Sequence, residues 1–85
     1  MEYVVAAFRS RAETIKFYEY LLSYGADAHI INTPKEAGVG CGLSVKISPR
    51  ILLAVKRAAV SFPAKSFAGF FLVKTVGGKR YVKSV

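Results

Sequence analysis

The sequence predicts an α+β domain: a ferredoxin-like split βαβ, a two-layer sandwich with a C-terminal β-hairpin extension. Three observations predict it. Short runs of strand-forming residues alternate with two amphipathic helical segments, giving the order β-α-β-β-α-β. Both helical segments carry start signals in sequence. The chain has 85 residues, which is room for one core and not for two.

Each element follows from its residues. Residues 3–8, Tyr-Val-Val-Ala-Ala-Phe, form a short apolar run typical of a buried strand. Ser10 then stands as a helix N-cap, and Glu13 three residues later completes a capping box. Ala12, Ile15, Tyr18, Leu21 and Leu22 recur at helical spacing, and Gly25 closes the helix. Residues 28–31 make a second short strand. From Leu43 to Ser48 the pattern alternates strictly, with Leu43, Val45 and Ile47 on one side and Ser44, Lys46 and Ser48 on the other. Ser48-Pro49 opens the second helix as N-cap and first-turn proline. Its apolar face is Ile51, Leu52, Val55, Ala58, Ala59 and Phe62; Arg50 and Arg57 share its wet side, and Pro63 marks the exit. Residues 69–74 form a further strand. Gly77-Gly78 reads as a tight hairpin turn, because glycine accepts the positive φ that such a turn requires. The returning strand, residues 80–83, has the alternating charges of a sheet edge. One domain is expected over residues 1–85, with residues 75–85 as a terminal hairpin arm.

Composition limits the function. Thirteen basic residues stand against five acidic ones, a formal charge of +8, which suits anionic partners. No apolar run is long enough to cross a membrane, and Glu2 occupies what would be the basic region of a signal peptide, so a cytoplasmic location is expected and no membrane partner. The single cysteine excludes an internal disulfide framework. One cysteine and one histidine do not make a metal site, and no cofactor motif is present: Gly38-Val39-Gly40-Cys41-Gly42 leads into a strand, not a helix. No Ser-His-Asp set can be argued, because Asp27 is the only aspartate and it neighbours a strand start, so the chain reads as a carrier or binding protein more than as an enzyme.

The informative stretch is the link between the second and third strands, which is much longer than the two to five residues usual for a hairpin. Here Cys41 stands among Gly38, Gly40 and Gly42. Two readings are open. In one, the glycines loosen the backbone and form with Thr33, Pro34 and Lys35 a small anion nest around an exposed Cys41 thiol. In the other, Cys41 is a small buried apolar residue and the glycines shape a bulge. In the predicted fold this loop and both helix starts are expected at opposite ends of the sheet, so no helix N-terminus is expected beside Cys41. His29, on the strand feeding the loop, is the one histidine that could pair with the thiol.

Thr33-Pro34 with Glu36 two positions on, then Cys41-Gly42-Leu43 entering a strand, all preceded by the strand of residues 3–8 and a helix after Ser10, resembles the selenium/sulfur carrier-like family. The resemblance covers about residues 3–75. It implies a small intracellular protein in which Cys41 is the covalent carrier thiol, moving sulfur or selenium between donor and acceptor proteins. The other function class is a basic module binding nucleic acid or an acidic protein, with Cys41 incidental. Arg9, Arg11, Lys46, Lys74, Lys79, Arg80 and Lys83 would form its basic face. Residues 65–71, Lys-Ser-Phe-Ala-Gly-Phe-Phe, faintly echo the aromatic motif of RNA-recognition domains, with the spacing off by one. The unbroken apolar run Phe70-Phe71-Leu72-Val73 requires cover on both faces or a homodimeric partner.

Overall fold

The computed structural model describes residues 1–85 and has an α+β architecture: one antiparallel sheet of five strands with two helices. The strands are β1 (Glu2–Phe8), β2 (Ala28–Asn32), β3 (Leu43–Ile47), β4 (Phe67–Val76) and β5 (Lys79–Ser84). The helices are α1 (Arg11–Ser23) and α2 (Leu52–Val60), the latter preceded by a 3-10 turn at Pro49–Ile51. Strand order across the sheet is β2-β3-β1-β4-β5. The sheet therefore has five strands where a split βαβ has four: β5, the returning strand of the terminal hairpin, pairs with β4 from Val76↔Lys79 to Phe71↔Ser84 and forms the edge. The Gly77-Gly78 turn takes positive φ at both residues, as the hairpin requires.

Register divides the side chains into two faces. Val4, Ala6, Phe8, Val45, Ile47 and Phe70 point toward the helices and join Phe17, Leu21, Ala28 and Val55 in the core. Phe8 and Phe17 are in contact at 5.1 Å between ring centroids, and Phe62 closes edge-on against Phe17 at 5.0 Å. The Tyr20 hydroxyl donates to the Ala58 carbonyl at 2.8 Å and links the two helices. The other face is not solvated in its middle. Val5, Ala7, Ser44 and Val73 lie on it with no exposure, although no helix covers them.

The α1 face is one step away from the sequence expectation. Thr14, Phe17 and Leu21 are buried, while Ile15 and Leu22 are 40% and 44% exposed. With Phe17, Tyr18 and Tyr20 in succession around the helix, apolar surface extends over most of its circumference, and packing against Phe8 selects the stripe. The α1 N-cap is also shared differently. Ser10 Oγ accepts from the Glu13 amide at 3.2 Å, as expected. The Glu13 carboxylate does not return to Ser10. It accepts from the amides of Lys65 and Ser66 and from the Ser66 hydroxyl, and Ser66 Oγ in turn accepts from the Ser10 amide at 3.0 Å. The box is completed through Ser66, so the α2–β4 connection is tied to the start of α1. The Ser66 hydroxyl, then the Lys65 and Ser66 amides, hold the Glu13 carboxyl below its ordinary value of 4.5.

Two outcomes follow. Phe17→Ala should lower stability by about 3–5 kcal/mol, while Ile15→Ala should change it by no more than about 0.5 kcal/mol, both read from urea midpoints. The charged Glu13 supports the folded state above its unfolded-state pKa, and that support is lost as pH falls through the lower folded value. Thermal melts should therefore separate the wild type from Glu13→Gln at pH 7, and the two curves should converge as the pH drops well below 4.5.

Candidate functional site

The loop between β2 and β3 closes at its neck and then crosses the sheet. The Thr33 amide donates to the Gly42 carbonyl at 2.8 Å, and Thr33 Oγ1 lies 2.6 Å from Ser44 Oγ. Pro34 is buried, and a 3-10 turn follows at Lys35–Ala37. From there Glu36 reaches Arg80 on β5, the opposite edge of the sheet, at 3.4 Å. Four strand intervals separate β2 from β5, a distance of about 19 Å at the usual spacing. The loop therefore lies over the face that has no helices, and it is the cover for Val5, Ala7 and Ser44. The return leg passes so close to β1 that a Cβ on Gly40 would stand 3.1 Å from the Phe8 carbonyl oxygen and 3.7 Å from Ala7 Cβ, with φ at +92°.

Cys41 comes over the end of β1. Its amide donates to the Phe8 carbonyl at 3.0 Å. The thiol turns to the helix side: Sγ is 3.6 Å from Thr14 Oγ1 and 3.7 Å from the Leu43 carbonyl oxygen, and the residue is half-buried. The expected separation of the loop from the helix starts is corrected here. β1 and β3 are antiparallel, with Ala7 opposite Ser44, so the exit of β1, where α1 begins, adjoins the entrance of β3. Thr14 is in the first turn of α1. Its hydroxyl also reaches the Ser10 carbonyl at 3.0 Å, and with only one proton it can serve either the carbonyl or the sulfur. While it serves Ser10, the thiol proton can go to Thr14 Oγ1 or to the Leu43 carbonyl. A sulfur anion would draw the Thr14 proton to itself.

The other predicted loop residues converge, but away from the sulfur. Thr33, Pro34, Lys35, Gly38, Gly40 and Gly42 line one cleft of about 590 Å3, joined by Val39 and by Arg9 from the end of β1; Cys41 is not among its walls. The predicted basic face does not assemble as one surface. Arg9 is in this cleft, and Arg11 is exposed at the first residue of α1. Lys46 is on the loop-covered face with its ammonium 5.0 Å from the centre of the Tyr3 ring. Arg80 is paired with Glu36 and Lys74 with Glu2 at 3.7 Å. By register Lys83 and Lys79 take the helix side of β5. His29 bonds to Asp27 at 3.0 Å and sits opposite Lys46, well along the strand from Cys41. The participation of Thr14 is the element that sequence reasoning missed. Its signal was a threonine four residues after a serine N-cap, on a helix whose other inward residues are apolar.

The chain belongs to the family described as "Putative Se/S carrier protein-like", whose model matches residues 3–63, more than half of the chain. The match begins inside β1, contains α1, β2, the whole loop with Cys41, β3 and α2, and ends before β4. Neither the curated proteins nor the solved structures hold a significant match. No helix is long and apolar enough to cross a membrane.

The contact at Gly40 gives a local test. Gly40→Ala combines a positive φ with a tight contact against a backbone oxygen, and it should cost about 1–3 kcal/mol in denaturant unfolding. Gly38→Ala, with φ at +64° and open space around the added carbon, should cost less, about 1 kcal/mol.

Proposed function

We propose that this chain is a cytoplasmic, non-catalytic thiol carrier, in which Cys41 takes sulfur or selenium from a donor protein and passes it to an acceptor. Membership of the selenium/sulfur carrier-like family, over a range that includes the cysteine loop, is the observation that supports this most directly. The surroundings of the sulfur suit the role. A hydroxyl that can turn toward the sulfur stands within hydrogen-bonding reach of it. In the same reading the first four strands and two helices are a ferredoxin-like split βαβ, to which β5 adds an edge.

Loading is an exchange without net oxidation. The Cys41 thiolate attacks the outer sulfur of a donor persulfide. A new bond forms from Sγ to that sulfur as the donor's S–S bond breaks. The outer sulfur keeps its proton, and the electron pair of the broken bond leaves on the donor thiolate. Delivery repeats the exchange with Cys41 as the leaving thiolate. A perselenide donor follows the same course with selenium as the outer atom. The thiol is half-buried in the folded chain, so the carrier reading requires that it react without unfolding of the domain.

Alkylation of the native protein across pH, followed by intact mass together with a small-molecule persulfide donor, tests the reading. The carrier predicts that the folded chain is labelled at a rate independent of low denaturant, that it gains one sulfur, and that Cys41→Ser abolishes both. Single substitutions of Lys74 or Lys83 should leave both unchanged. Labelling that proceeds only as fast as global unfolding would overturn it.

A further inference from the structure

The cleft beside the thiol loop is lined by Gly40 and Gly42 but not by Cys41 itself. Its chemistry is nevertheless that of a binding site. Arg9 enters it from the end of β1 and Lys35 from the loop, and neither cation has a carboxylate partner. The one carboxylate of the loop, Glu36, is directed elsewhere, to Arg80. Four of the cleft's backbone amides, those of Lys35, Val39, Gly40 and Gly42, donate to no group in the chain, whereas those of Arg9, Thr33 and Gly38 do. Two unneutralised cations and four residues with uncommitted N–H groups thus line one concave surface with no acidic residue among its walls. That set complements a compact polyoxygen anion, which accepts several N–H bonds and is attracted to both charges.

We infer that this cleft binds a phosphate group, either as the free anion or as a phosphomonoester, through Arg9, Lys35 and the amides of Val39, Gly40 and Gly42. An anion held there would bridge β1 and the loop. The site stands apart from the carrier reading and does not require the thiol.

The test is an amide NMR titration of the full chain, 15N-labelled, at constant ionic strength with sodium chloride as the compensating salt. Inorganic phosphate and adenosine monophosphate are the two ligands. Saturable shifts centred on Val39, Gly40 and Gly42 are expected, equal in the wild type and Cys41→Ser. Arg9→Gln and Lys35→Gln, both at exposed positions, should each weaken binding by about tenfold while the rest of the spectrum is retained. Equal affinity for the two ligands would assign the site to the phosphate group alone; tighter binding of the nucleotide would assign it to an esterified phosphate. Shifts that do not saturate, or that spread over the lysines of β4 and β5, as weak association with an RNA oligomer would also give, overturn the inference. Loss of persulfide loading with phosphate binding intact would count against the carrier and not against this site.

Discussion

A sheet with two apolar faces and helices for only one of them governs this structure. β1 is the central strand and is buried from Val4 to Phe8, so both of its faces must be covered. Alternation sends Val4, Ala6 and Phe8 to the helices and leaves Val5 and Ala7 on the reverse. A chain of this size has no third helix to spare. The loop carrying Cys41 supplies the missing layer, and its length, its buried proline and the close approach at Gly40 all follow from that requirement. The Glu36–Arg80 pair adds little on its own, since both side chains are 45% exposed and such pairs contribute about 0–1 kcal/mol. Burial of Pro34 and of the strand residues beneath the loop outweighs it.

The same constraint separates two chemistries along one short peptide. The backbone at residues 40–42 passes over the end of β1 and has two sides. On one, the thiol meets Thr14 at the start of α1. On the other, cations and free amides meet solvent. Glycines flanking the cysteine permit this arrangement, because residues 40 and 42 hold positive φ while Cys41 does not. The loop is thus defined by its supports: β1 beneath it, β5 at its tip, and the first turn of α1 at its cysteine.

Much of this architecture was legible in local sequence. Ser10, Ser48-Pro49 and Gly77-Gly78 each dictate a boundary through hydrogen bonds or φ values that a few neighbouring residues settle. The α2 face was legible because its small and aliphatic residues leave a single apolar stripe. The α1 face was not, since Phe17, Tyr18 and Tyr20 offer several stripes and only contact with Phe8 decides among them. The loop's path was hidden for another reason. It has no periodicity, and the contacts that fix it join residues far apart in sequence, Glu36 with Arg80 and Cys41 with Phe8 and Thr14. The position of the cysteine near α1 was a matter of topology: antiparallel pairing of β1 and β3 brings one strand's exit to the other's entrance. Membership of the family was legible in Thr33-Pro34, Glu36 and Cys41-Gly42, residues whose places in the structure are the neck, tip and thiol of the loop.

The tip of the loop is held by a residue outside the matched range. Glu36 lies within residues 3–63, whereas Arg80 belongs to β5, beyond them. β5 therefore reaches back from beyond the matched range to a residue within it. Without the β5 contact the loop would still be held at its neck by Thr33 and Gly42, along β1 by Gly40 and Cys41, and at its thiol by Thr14. The contacts of the thiol all lie within the matched range, whereas the tether at the loop's tip draws on a residue outside it.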